Sequence, residues 1–290
     1  MKVTKVNNYM ALMRNLRNID KAGVSDDHID KVCSALTHEP AVLNSKQLPF
    51  RFYAAYNQLR AANANPLLLE AVESAMELSI ANLPKLKGRV ASLCDNSGSA
   101  HGTMTSAAGT MKVSTIANLQ AVLTGMATDG EATVHPFGDR LNTVEINPTK
   151  GVFKQLDVVE KSGQTVGGGT ETGIWLFWHN AIKNKVHYDQ VFVYSDMQAG
   201  HGGLFTSPQH KPTGFVWENN SRYGGNNYVD VPALIAAYRK KVNPDVQVYL
   251  VQVAGYSDGL VPEIYDKTYI LGGWSTGILK FADKVTSINP

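Results

Sequence analysis

Cysteine is nearly absent. Cys33 and Cys94 are the only two in 290 residues. They are too few and too far apart in sequence for a disulfide framework, so a reducing, intracellular setting is expected. No run of about 18 consecutive apolar residues occurs, so no membrane span is expected. The first eight residues, MKVTKVNN, lack the apolar core of a secretory signal, and a cytoplasmic location is expected. An excess of one charge is missing too: 27 Lys+Arg against 25 Asp+Glu leave +2. That is too little to announce nucleic-acid binding by bulk charge. The small excess sits at one end, since residues 1–88 carry 11 basic and 8 acidic side chains and the remainder 16 and 17.

What is present describes an ordinary globular protein, with 43% hydrophobic and 18% charged residues. Residues 1–83 have helical spacing. Tyr9, Leu12, Met13 and Leu16 follow i, i+3, i+4, i+7, as do Ile29, Val32, Cys33 and Leu36 after a candidate cap at Ser25. Pro49 and Pro66 open a third and a fourth helix. From residue 84 the period changes. Strands are expected at 90–94, 132–137, 141–146, 190–194, 246–253 and 268–271, alternating with helices at 111–128, 151–161, 172–184, 232–242 and 277–286. This is the pattern of a doubly wound, mostly parallel α/β sheet over 84–290, preceded by an all-α segment over 1–83. Phe137-Gly138-Asp139-Arg140-Leu141 reads as a hairpin turn, which makes one edge strand antiparallel. Residues 197–230 break the rhythm with eight glycines and prolines and no sustained pattern. A loop this long inside a domain is usually functional or disordered; its aromatics argue against plain disorder, and Trp217, Tyr223 and Tyr228 are its candidate partner contacts.

Chemistry concentrates where strands end. Leu93-Cys94-Asp95-Asn96-Ser97-Gly98-Ser99 runs a buried strand into Asp-x-Ser-x-Ser. One carboxylate and two hydroxyls on one turn are hard oxygen ligands, which suit Mg²⁺ better than Zn²⁺. Gly167-Gly168-Gly169-Thr170 places a threonine after a glycine run, and Val191-Phe192-Val193-Tyr194-Ser195-Asp196 is a second apolar strand ending in an aspartate. Loops at the carboxyl ends of parallel strands are where open α/β sheets bind ligands.

This pattern resembles the metal-ion-dependent adhesion site of von Willebrand factor A domains. The resemblance implies that Asp95, Ser97, Ser99, Thr170 and Asp196 hold Mg²⁺ or another divalent cation, with an acidic residue of a protein partner completing the shell. A wider likeness follows. Tyr9-Met10-Ala11-Leu12-Met13-Arg14-Asn15-Leu16-Arg17 and Leu48-Pro49-Phe50-Arg51-Phe52 are similar to the last helical repeats of TROVE-module proteins, the family of the Ro autoantigen and its bacterial relatives. Residues 191–196 and Ala237-Tyr238-Arg239-Lys240-Lys241 are similar to that family's A domain. Such proteins join a ring of HEAT-like repeats to a von Willebrand A (Rossmann-like) domain. They bind small noncoding RNA outside the ring and single-stranded RNA ends through its hole. Only the last part of the ring has a counterpart here. A partial ring cannot encircle a strand, so the chain alone is expected to bind RNA weakly, unless an oligomer or a complementing helical-repeat chain supplies the rest. Arg14, Arg17, Lys21, Lys31, Arg51 and Arg60 are the candidate RNA contacts, although such residues more often form solvated helix faces.

Enzyme signatures are missing. Gly169 is followed by Thr170 and Glu171 with no P-loop lysine, and residues 95–99 fit no Gly-x-Ser-x-Gly elbow. Position 97 is serine where a phosphatase of the Asp-x-Asp kind needs aspartate. His101, His201 and His210 have no zinc-ligand spacing to a cysteine. The expected function is a noncatalytic, Ro-like ribonucleoprotein-type protein whose metal site recognises a partner. The alternative is a structural or assembly subunit with no RNA role.

Overall fold

The computed structural model describes residues 7–47, 49–102, 111–169, 171–197, 231–254, 266–273, 275 and 277–288. They form two compact units: Met1–Pro84 with Gly151–Phe153, and Lys85–Lys150 with Lys154–Pro290. Among the described residues, no helix is long and apolar enough to cross a membrane.

The first unit is helical: α1 Asn7–Lys21, α2 Asp26–Leu36, α3 Glu39–Ser45, α4 Pro49–Ala61 and α5 Pro66–Ile80. Each helix buries the stripe its spacing defines, with Leu16, Leu36, Phe52, Leu68 and Met76 sealed from solvent. Side-chain hydrogen bonds fix how the helices meet. Tyr9 donates its hydroxyl to the Leu36 carbonyl at 2.8 Å, tying α1 to the end of α2. Asn65 caps α5 by accepting the Leu67 N–H at 3.0 Å, while its own N–H donates to Asp20 of α1 at 2.9 Å. Ser25 precedes α2 without capping it, because its hydroxyl pairs with His28 Nδ1 at 2.7 Å instead. Helix α3 was not expected from the sequence. It is one of the shortest helices and buries only Val42, so it leaves no periodic stripe to read.

The second unit centres on a six-stranded sheet. Its elements are β1 Leu86–Lys87, β2 Val90–Asp95, α6 Gly98–Gly102, α7 Val113–Met126, β3 Thr128–Asp129, β4 Ala132–Phe137, β5 Val144–Glu145, α8 Val152–Gly163, α9 Glu171–Lys183, β6 Gln190–Ser195, α10 Val231–Lys241, β7 Gln247–Gln252, β8 Thr268–Gly272 and α11 Gly277–Ile288. The strand order is β5-β4-β2-β6-β7-β8, parallel throughout except for β5. The central strands are apolar on both faces because helices cover both. Ala91, Leu93, Val191, Val193, Val248 and Leu250 face a cluster that includes Trp178 of α9 and Tyr238 of α10. The alternate positions turn the other way: the Tyr194 hydroxyl lies 2.6 Å from Thr124 of α7, and the Tyr249 ring meets Phe281 of α11 edge-on.

Two sequence expectations need correction. The strand expected at 141–146 shrinks to Val144–Glu145: the Asn142 N–H still bonds the Pro136 carbonyl of β4 at 3.0 Å, but Leu141 meets β4 only as an isolated bridge to Phe137. The helix expected at 111–128 ends at Met126, since Thr128 enters a two-stranded parallel ribbon with Leu86. The topology matters for function. β4 lies on one side of β2 and β6 on the other, so the chain reverses direction about β2. The loops that leave such a switch point open a crevice at the carboxyl ends of the strands.

One contact offers a direct check of the α9–α10 layer. The Tyr238 hydroxyl accepts the Tyr188 N–H at 2.7 Å and donates to the Val186 carbonyl at 2.9 Å. Tyr238→Phe orphans both and is expected to cost about 1–3 kcal/mol of unfolding free energy. Urea unfolding should show a lower midpoint with an unchanged slope; an unaltered midpoint would remove the structural role given to the hydroxyl.

Candidate metal centre

β2 and β6 are neighbours with Cys94 opposite Tyr194, so Asp95 and Ser195 end their strands at one level and Asp196 follows at once. Asp95, Ser195 and Asp196 have no exposed surface, and Ser97 is also buried. Asp95 Oδ1 accepts the Ser97 N–H at 2.9 Å, which folds 95–97 into an Asx turn. Asp95 Oδ2 accepts the Ser195 hydroxyl at 2.5 Å, and that hydroxyl in turn accepts the Met197 N–H at 3.0 Å. The Ser97 and Ser99 hydroxyls stand 3.1 Å apart on the turn that enters α6. On the far side, Gln252 of β7 donates to the Asp196 carbonyl at 3.0 Å.

The turn is braced from below by residues the sequence reading passed over. Asn96 and Asn118 of α7 exchange amide hydrogen bonds at 2.8 and 3.0 Å. The Asn96 N–H donates to the Phe137 carbonyl of β4 at 2.9 Å. An Asn directly after the strand-ending Asp95, with a second Asn in a buried helix face, was the signal available, but their pairing spans 22 residues and has no local pattern. His101 lies beside the turn, its Nδ1 3.1 Å from the Ser97 carbonyl.

Electrostatics follow from burial. The Asp95 carboxyl is pushed up from 3.8 to about 6, first by desolvation and then by the charge of Asp196, against the hydrogen bonds from Ser195 and Ser97. Burial and the charge of Asp95 likewise hold the Cys94 thiol well above its ordinary range, so it is a poor nucleophile. The hydrogen-bond partners of Asp95 are neutral. Two buried carboxylates at adjacent strand ends, with two hydroxyls beside one of them, are an all-oxygen donor set that a hard dication would fit and neutralise. Among the described residues, no three His, Cys, Asp or Glu side chains gather as a ligand group, so a soft-metal site is not what these donors resemble.

The structure thus brings together Asp95, Ser97, Ser99 and Asp196. Thr170 lies outside the described residues, as do His201, His210 and the partner-contact candidates Trp217, Tyr223 and Tyr228. The six basic candidates are all exposed: Arg14, Arg17 and Lys21 on α1, Lys31 on α2, Arg51 and Arg60 on α4. Of these, Arg14 and Arg51 share a cleft of about 110 Å³ with Met10, Met13, Ala54, Ala55 and Gln58.

The fold and site define a class: a helical segment followed by a doubly wound, mostly parallel α/β unit of von Willebrand A or Rossmann-like type, with oxygen donors at its switch point. Comparison with known proteins narrows it. Residues 4–70 match the TROVE domain family. Fifty-one residues are 43% identical to telomerase protein component 1 of Rattus norvegicus and 41% identical to that of Mus musculus, covering 18% of this chain. The Ro (RSR) protein of Deinococcus radiodurans superposes over 95% of this chain with a TM-score of 0.62 at 16% sequence identity, a likeness of fold. The TROVE match is thus confined to residues 4–70, and the likeness to the Ro (RSR) protein is one of fold. The chain spans about 2% of the length of those curated relatives and 53% of the Deinococcus chain.

The buried carboxyl gives a pH signature. Because the folded Asp95 carboxyl titrates above its unfolded value of 3.8, its contribution to stability is full below pH 4 and lost as pH rises through about 6. The loss is on the order of 3 kcal/mol in the absence of a cation. In chelator, Asp95→Asn should therefore gain stability relative to the parent between pH 4 and 7. Denaturant melts showing a pH-independent difference would contradict this.

Proposed function

We propose that this chain binds Mg²⁺, or a similar dication, through Asp95, Ser97, Ser99, Thr170 and Asp196, and uses it to recognise an acidic residue of a protein partner. The observation that carries this reading is the juxtaposition of two fully buried carboxylates, Asp95 and Asp196, with the paired hydroxyls of Ser97 and Ser99. A bound ion supplies positive charge and open coordination positions that an incoming carboxylate can fill. Nothing in this role requires bond-breaking, and a noncatalytic protein is the accompanying proposal. Cytoplasmic location fits the scarcity of cysteine.

RNA association is the family-level part of the proposal. The TROVE match over residues 4–70 supports it, together with exposed cations of the helical segment, among them the six candidates Arg14, Arg17, Lys21, Lys31, Arg51 and Arg60. A ring completed by other copies, or by a complementing helical-repeat chain, would give small noncoding RNA a larger basic surface. The rival reading, an assembly subunit with no RNA role, is favoured by the net charge of only +2.

Two measurements separate these readings. Mg²⁺ at a hundredfold excess over its Kd should stabilise the parent by about 2.7 kcal/mol and raise its melting temperature. Asp95→Ala should abolish that response, and an equal response in both would sink the metal site. In mobility-shift assays at physiological salt, the chain alone is expected to give no discrete complex with structured RNA. A tight complex that weakens with salt, and weakens further in the Arg14→Ala/Arg51→Ala double variant, would instead make the helical segment an RNA-binding surface in its own right.

A further inference from the structure

The glycine run that leads into Thr170 is held by a side chain outside the proposed ligand set. Asp139 follows β4 in the turn before β5, and its Oδ2 accepts the Gly168 N–H at 2.9 Å. The Gly168 carbonyl accepts the Gly98 N–H at 2.8 Å, between the two serines of the Asp-x-Ser-x-Ser turn. Gly168 is thereby clamped, by its N–H to one loop and by its carbonyl to another. Flanking backbone bonds complete the brace: the Arg140 N–H donates to the Val166 carbonyl at 2.8 Å, and the Gly173 N–H to the Gly138 carbonyl at 3.0 Å.

The glycines make this approach possible. Gly167 has φ +84°, which side-chain-bearing residues rarely adopt, and a Cβ on either Gly167 or Gly169 would collide with the Asp139 carboxylate. The run is therefore a backbone wrap around one carboxylate, rather than a slack linker. Both oxygens of Asp139 lie against this wrap.

We infer that Asp139 is a positioning residue for the metal centre: acting through Gly168, it sets the loop leading into Thr170 against the turn that carries Ser97 and Ser99. This rests on the Mg²⁺ reading proposed above. Groups that hold metal ligands in place typically change metal affinity by 10–100-fold when removed, without touching the ion.

The test is calorimetric titration of the full chain with MgCl₂ alone, using the parent, Asp139→Ala and Asp139→Asn, with melts of each in chelator. Asp139→Ala is expected to lose about tenfold or more in affinity. Asp139→Asn keeps an oxygen that can accept the Gly168 N–H, and should stay within about threefold of the parent. In chelator the three should melt within about 2 °C of one another, because the clamp positions a loop and buries little apolar surface. The inference is overturned if Asp139→Ala binds Mg²⁺ like the parent. It is overturned equally if Asp139→Asn falls as far as Asp139→Ala, which would make Asp139 a source of charge, or if affinity falls only alongside a lower metal-free melting temperature. A parent that takes up no Mg²⁺ overturns the metal reading itself and this inference with it, whereas a binding parent with an unaffected Asp139→Ala overturns the inference alone.

Discussion

The parallel pairing of β2 with β6, Cys94 opposite Tyr194, brings two carboxylates to one buried level at the switch point of the sheet. Nothing local in either strand could do so, since the two lie about a hundred residues apart. What enforces the pairing is the core. A slip of one residue would turn Phe192 and Tyr194 into the layer now filled by Val191, Val193, Trp178 and Tyr238, and would send the valines against α7. Aromatic and aliphatic volumes on the two faces are too unlike to exchange. Packing thus fixes register, register fixes the carboxylate pair, and burial, reinforced by the charge of Asp196, raises the Asp95 carboxyl.

The readable parts of this molecule are those whose signal is periodic or contiguous. The stripes of α1, α2, α4 and α5 announce themselves at i, i+3, i+4, and the buried strands as short apolar runs ending in Asp95 and Asp196. The antiparallel edge after β4 follows from the turn at Gly138 and Asp139. The unread parts depend on partners distant in sequence. Helix α3 buries one side chain, the β1–β3 ribbon pairs two residues with two, and β5 pairs only Val144 and Glu145 with β4. The same holds at the site. Its ligand-type residues stand in recognisable strings, whereas Ser195, Asn96, Asn118 and Asp139, which orient them, acquire meaning only once the sheet has assembled.

The two units carry different kinds of evidence about function. The TROVE match lies in the helical segment, over residues 4–70, and the exposed side chains there include Arg14, Arg17, Lys21, Lys31, Arg51 and Arg60. In the α/β unit the likeness is one of fold, at 16% identity over nearly the whole chain, and the chemistry must be argued from side chains. A sheet of this type hosts many activities, so its topology indicates where a ligand would sit, and the donor atoms indicate which kind.

The Asn96–Ser97 step has a bearing on how the protein ages. Asparagine followed by a small residue deamidates when the next backbone nitrogen attacks the side-chain carbonyl and closes a five-membered ring. Here that nitrogen is engaged by Asp95 Oδ1, the Asn96 carbonyl oxygen accepts from Asn118, and its amide nitrogen donates to Asn118 and to the Cys94 carbonyl. These bonds pin the nitrogen and the side-chain amide in a buried turn where neither is free to reach the attack geometry, and Gly163 of α8 packs so closely on Asn96 that a methyl group there would strike it. The network that shapes the turn therefore also shields it from slow chemical damage, so that a dipeptide which would serve as a molecular clock on an exposed loop is stopped at the centre of this fold.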